Sequence, residues 1–136
     1  MKMKTLRTIG LLCLLCIAVI GVVVYWQYNK PHRSAADETA VIISAALLAQ
    51  DYEKNETVSN KKYLGHVLQV SGAVSEILLN QQHQSVVILF GSAMSGVQCT
   101  LLAVTPALKK GDTITIRGFC SGYLSDVIMD RCITVP

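Results

Sequence analysis

Three cysteines in the C-terminal third, Cys99, Cys120 and Cys132, are the residues best able to do chemistry in this chain. Their spacing does not follow C-x-x-C, and no histidine stands near enough in sequence to complete a tetrahedral set, so a zinc site lacks ligands. The three histidines, His32, His66 and His83, are scattered, and none has a cysteine or carboxylate partner at a spacing that marks a site. Asp126 and Asp130 supply two carboxylates where calcium wants about six to eight oxygens. Asp126 is expected instead to cap a turn through its side chain. The serines of "GSAMSG" and "CSGYLS" lack the G-x-S-x-G frame of a nucleophile elbow. The sequence therefore predicts no catalytic residue, no metal and no cofactor, and the chain reads as a non-enzyme. What remains for the cysteines is a bridge among Cys99, Cys120 and Cys132, which would add about 2–4 kcal/mol in an oxidising compartment, or burial as thiols.

Binding chemistry is equally sparse. A surface that holds single-stranded nucleic acid needs a cationic groove and aromatic platforms. After Ser34 the aromatics are Tyr52, Tyr63, Phe90, Phe119 and Tyr123. Arg117 and Phe119, with Tyr123 nearby, are the candidate ligand-binding residues, and one such pair does not make a groove. Charge points the same way: Lys2, Lys4, Arg7, Lys30 and Arg33 precede Ser34 without any acid, whereas seven basic and nine acidic residues follow it, a net −2. The basic balance of the chain thus belongs to its N-terminus and speaks for a membrane rather than for nucleic acid.

The elements that must position these residues begin with residues 1–8, a cationic N-terminus, and 9–28, an apolar helix. Ile9 to Trp26 carry no charge, enough to span a bilayer, and "YWQY" supplies rings suited to the headgroup level. A cleaved signal peptide wants small residues where Val24, Tyr25, Trp26 and Gln27 stand. Leu12 and Leu15 likewise precede Cys13 and Cys16 where lipid modification wants a small residue. The expected state is a single-pass anchor of a bacterial inner membrane, N-terminus cytoplasmic, with the following domain periplasmic or extracytoplasmic. Residues 29–43 read as a tether and an extended segment, Ser34 to Thr39 being the tether.

From residue 44 to 136 the pattern is that of one domain. Ser44 is a helix N-cap before "SAALLAQDYEK", in which Leu48 and Tyr52 share a face; "NETVSNKKY" offers a second helical turn capped by Asn55 or Asn60. Extended structure then begins at Tyr63 with the long "YLGHVLQVSGAVSEIL" and continues through "SVVILF", "VQCTLLAV", "TITIRGFC" and "VIMDRCITV". In the fourth of these, Ile114, Ile116, Gly118 and Cys120 alternate against Thr113, Thr115 and Arg117. Alternation also places Cys99 inside, and Cys132 on the side of Asp130 and Thr134. Five strands, the first long and glycine-kinked, predict a mainly β fold: a small five-stranded OB-like barrel preceded by one or two short helices and the N-terminal transmembrane helix. The third and fifth strands of such a barrel are neighbours, which favours Cys99 with Cys132 although three pairings stay open.

Several segments carry a family resemblance. "YNKPHR" after a single span, "N-E-x-x-x-N-x-K-Y-L-G" leading into "V-x-V-S-G-x-V", "V-x-C" at 97–99, "KKG" at 109–111 and "G-F-C-S-G-Y-L-S-D-V" followed by Cys132 resemble the tRNA_anti-like family of bacterial OB-fold proteins over residues 28–136. The positions carrying it are Tyr63, Gly65, Gly72, Val74, Cys99, Gly111, Gly118, Cys120, Gly122, Asp126, Val127 and Cys132; at His66 the chain departs from the pattern's cation. The resemblance implies an extracytoplasmic OB barrel without an assigned reaction. The expected function is a membrane-anchored binding or interaction module whose partners are the membrane and envelope proteins. The alternative is an OB domain for single-stranded nucleic acid, oligosaccharide or a cation.

Overall fold

The computed structural model describes residues 2–30, 34–103 and 107–136 and divides into two compact units, 1–32 and 33–136. The first is one helix, α1 (Lys2–Tyr28), long and apolar enough to cross a membrane and with no residue buried against protein. At about 1.5 Å per residue, its eighteen uncharged residues from Ile9 to Trp26 cover roughly the thickness of a bilayer's hydrocarbon core. His32 lies outside the described residues.

The second unit runs β1 (Val41–Ser44), α2 (Ala45–Lys54), α3 (Glu56–Tyr63), β2 (Val67–Leu79), β3 (Ser85–Leu89), β4 (Val97–Leu101), β5 (Thr113–Tyr123) and β6 (Val127–Val135). Strands β2 to β6 close into a five-stranded barrel in the order β2-β3-β4-β6-β5, with β5 returning to β2 and β1 added beside β2. Every pair within the barrel is antiparallel except β4 with β6, which run parallel. This is the OB-like architecture that the sequence predicts. Closure depends on the length of β2. Its residues Val67–Ala73 pair with β5, and Val74–Leu79 pair with β3. Along the edge that β3 leaves open, β1 pairs in parallel with Leu68–Ser71.

The helices form because their ends are capped and one face is apolar. Ser44 Oγ accepts from the Leu47 N–H at 3.2 Å, and Asn55 both ends α2 and caps α3, its Oδ1 accepting from the Val58 N–H at 3.1 Å. Leu48, Ala49 and Tyr52 of α2 are buried, and Leu48 and Tyr52 join one cluster with Val87, Leu89, Val97, Val127 and Met129. The helix is thus the barrel's plug. Extended structure starts later than the apolar pattern implies: α3 continues through Tyr63, whose side chain is buried and whose hydroxyl donates to Asp51 Oδ2 at 2.6 Å, and β2 begins only at Val67. A tyrosine anchored on the preceding helix outweighs its own β preference.

Two features differ from simple alternation. Residues Ser34 to Ala40 lie against the outside of the barrel, where Ala35, Val67 and Phe119 form a second small core with Ala40 packed on it. The Arg117 guanidinium donates to the Glu38 carbonyl and fastens this strap. In β6 a bulge falls at Arg131, whose φ is 50°, and the register against β5 shifts between Arg117 and Phe119. The extra residue reverses the parity of everything after it. Cys132 therefore points inward and is fully buried, contrary to the side that alternation gives it.

The inward turn of Cys132 needs space that only glycine leaves. A Cβ on Gly118 would overlap the Cys132 sulfur and stand 3.0 Å from the Asp130 carbonyl oxygen. Gly118→Ala is expected to destabilise the barrel by about 1–3 kcal/mol, read as a lower urea midpoint with an unchanged slope; a variant as stable as the parent would overturn this packing.

Candidate binding face

The expected ligand pair is taken up by contacts within the domain. Phe119 is only 3% exposed: the strap covers it, and the Arg131 guanidinium lies 4.0 Å from its ring centroid. Its parity is the outward one that the sequence implies, but an outward face is not a free face once another segment packs on it. Arg117, beside it, is committed to the Glu38 carbonyl. Tyr123 is half-buried and stacks on Tyr52, with centroids 5.3 Å apart and planes 17° from parallel. The three residues serve the strap and the plug rather than one shared surface.

No three His, Cys, Asp or Glu side chains converge to hold a metal among the described residues. His66 and His83 are exposed, His83 within the β2–β3 turn with a φ of 60°. Asp130 accepts from the Ser121 hydroxyl. The Asp126 side chain reaches out of its own turn: its Oδ1 accepts from the Gly96 N–H at 2.6 Å, and so the β5–β6 turn is tied to the β3–β4 loop.

That loop, Phe90 to Gly96, is pinned from a second side. Glu53 at the exposed end of α2 accepts from the Ser92 hydroxyl and, at 2.5 Å, from the Ser95 hydroxyl. Ser92 Oγ in turn accepts from the Met94 and Ser95 N–H groups at 3.0 and 3.1 Å. Gly91 fits against the helix because it lacks a side chain: a Cβ there would come 2.7 Å from Ala49 Cβ and 2.6 Å from the Ser95 carbonyl. The serines of "GSAMSG" are thus structural hydroxyls.

The pinned loop borders the outer face of β3 and β4, the second and third strands of the barrel, which OB folds use for oligonucleotides and oligosaccharides. Register sets Glu76, Ile88, Gln98 and Ile128 in one outward row across β2, β3, β4 and β6. Thr100 and Val86 pair in the next row. A groove of about 300 Å³ runs along the loop side of this face, lined by Ser75, Glu76, Ile88 and Asp126, with Phe90 and Met94 on its rim. Phe90 is 60% and Met94 84% exposed. Neither β3 nor β4 carries a lysine, arginine or aromatic residue. The charged side chains lining the groove, Glu76 and Asp126, are acidic, and Phe90, Met94 and Ile88 add apolar surface to a mainly polar lining. Phe90 closes the apolar run "SVVILF", and it stands one residue beyond β3 with its ring exposed.

Comparison with known proteins gives a family and a fold. The family model described as tRNA_anti-like matches residues 1–134. No curated protein matches the sequence. Among solved structures, one described as a "putative nucleic acid-binding lipoprotein" from Klebsiella pneumoniae subsp. pneumoniae is similar in fold, with a TM-score of 0.54. The two share 14% identity, over 70% of this chain and 92% of the other.

The loop's dependence on Glu53 has a pH signature. The two serine hydroxyls hold its carboxyl below the usual value of 4.5, so their stabilisation is fully present above the unfolded pKa and is lost as pH falls through the lower folded one. The amide resonances of Met94 and Ser95 are expected to titrate in that acid range by NMR and to lose the transition in Glu53→Ala. Resonances that titrate alike in both proteins would overturn the assignment.

Proposed function

The chain belongs to the tRNA_anti-like family, and from that premise we propose that it is a membrane-anchored, extracytoplasmic OB-fold interaction module without catalytic activity, and that its recognition surface is the outer face of β3 and β4. The observation that carries this reading is the groove itself. It lies on the face that OB domains use for recognition, beside a loop fixed at both ends by Glu53 and Asp126. Such fixing lowers the ordering cost of binding.

The chemistry of the lining favours a polypeptide partner with a cationic and an apolar side chain. Glu76 and Asp126 would face the cation, and Phe90, Met94 and Ile88 the apolar group. Phosphate would meet no positive charge on these strands, and bases no platform beyond Phe90. The −2 balance after Ser34 adds to that. The description of the Klebsiella structure favours a second reading, single-stranded nucleic acid on the same face. The long apolar α1 supports anchoring, and the excess of Lys2, Lys4 and Arg7 before it supports a cytoplasmic N-terminus.

Two measurements test the proposal. A reporter active only outside the cytoplasm, fused after Pro136, is expected to be active; activity confined to a cytoplasm-only reporter would overturn the orientation. Full-length protein in detergent is expected to bind Lys/Arg-aromatic peptides about three- to tenfold more tightly than its Glu76→Ala variant, and to leave single-stranded oligonucleotides unbound at about 0.15 M salt. Saturable oligonucleotide binding that weakens steeply with salt would establish the second reading instead.

A further inference from the structure

The interior of the barrel holds three thiols, and their positions on the strands distinguish them. Cys99 and Cys120 both lie opposite Met129, one from β4 and the other from β5. The whole width of β6 thus separates them. Strands are spaced about 4.8 Å apart, so two strands of separation exceed the roughly 4.4–6.8 Å between Cα atoms that a disulfide spans. Cys120 also stands three positions along β6 from Cys132, and its sulfur is engaged elsewhere, 3.3 Å from the Tyr52 hydroxyl. Cys99 and Cys132 are on adjacent strands. Here the ladder advances two residues on β4, from Cys99 to Leu101, for three on β6, from Met129 to Cys132. The bulge turns the Cys132 side chain inward, diagonal to Cys99 across the β4–β6 ladder; the neighbouring Cys99 thiol and burial push the Cys132 pKa up.

We propose that Cys99 and Cys132 are the pair that oxidises to a disulfide, and that Cys120 stays a thiol held by Tyr52. Two S–H bonds break and one S–S bond forms. The two electrons and two protons pass to a disulfide oxidant, such as oxidised glutathione or a protein disulfide donor, which is reduced to two thiols. The interrupted ladder at the bulge gives β4 and β6 the slack to close on each other. Both sulfurs are fully buried in the finished barrel, so the bond forms while the chain folds and is afterwards shielded from reductants. The bridge links the barrel's parallel strand pair, where evenly spaced but slanted hydrogen bonds are slightly weaker than in antiparallel pairs.

The pairing rests on the barrel core alone; only where it occurs rests on the orientation proposed above. Refolding the pure protein separates the two. Lys109 lies between Cys99 and Cys120, and Arg131 between Cys120 and Cys132, so trypsin puts each of the three barrel cysteines on its own peptide. Full-length protein, reduced, unfolded and refolded in detergent with oxidised and reduced glutathione, is then alkylated and digested without reductant. The expected result is one linked peptide pair containing Cys99 and Cys132, with Cys120 alkylated. Cys120→Ala is expected to keep the linkage and Cys132→Ala to lose it without transferring it to Cys120. A linkage through Cys120, or alkylation of all three barrel cysteines in protein that regains its native circular dichroism, would overturn the proposal.

Discussion

The barrel exists because β2 serves two partners. Its first half completes the ladder with β5 and its second half opens the hairpin with β3, so one strand closes the cylinder that five shorter strands could not. A strand that changes partners leaves an edge where the change occurs, and an exposed edge invites pairing with another chain. β1 occupies that edge in parallel, and Ser44 at its end caps α2. The plug is thereby delivered directly under the barrel. Closure, edge protection and plugging thus follow from one element's length.

The same economy governs the outer surface. The strap of Ser34 to Ala40 covers Phe119 and Val67 on one side, and the loop of Phe90 to Gly96 is held by Glu53 and Asp126 beside the β3–β4 face. Several polar side chains of the domain make these fastenings. Arg117, Ser92, Ser95 and Asp126 each hold one segment to another. Around the groove, Glu76, Phe90 and Met94 remain open to a partner, with Lys109 and Lys110 beyond Glu76.

The thiols show how a backbone irregularity sets chemistry. One additional residue at Arg131 rotates Cys132 from the surface row into the core, beside Cys99 and over Gly118. Cys120 meets a tyrosine instead. Local register, rather than spacing along the chain, decides which sulfur finds another sulfur.

Much was legible in the chain itself. Apolar runs with alternating parity specify five strands, Ser44 and Asn55 specify helix caps, and eighteen uncharged residues specify a helix fit for a membrane. These are local periodicities, set by which side chains can be buried together. The tertiary structure alone decided that Phe119 is covered, that Tyr63 belongs to α3, that Cys132 faces inward and that Phe90 stands free. Each depends on a segment distant in sequence, or on a bulge that shifts register. Periodicity tells which side of a strand a residue takes, but what lies against that side is fixed only when the chain folds back on itself.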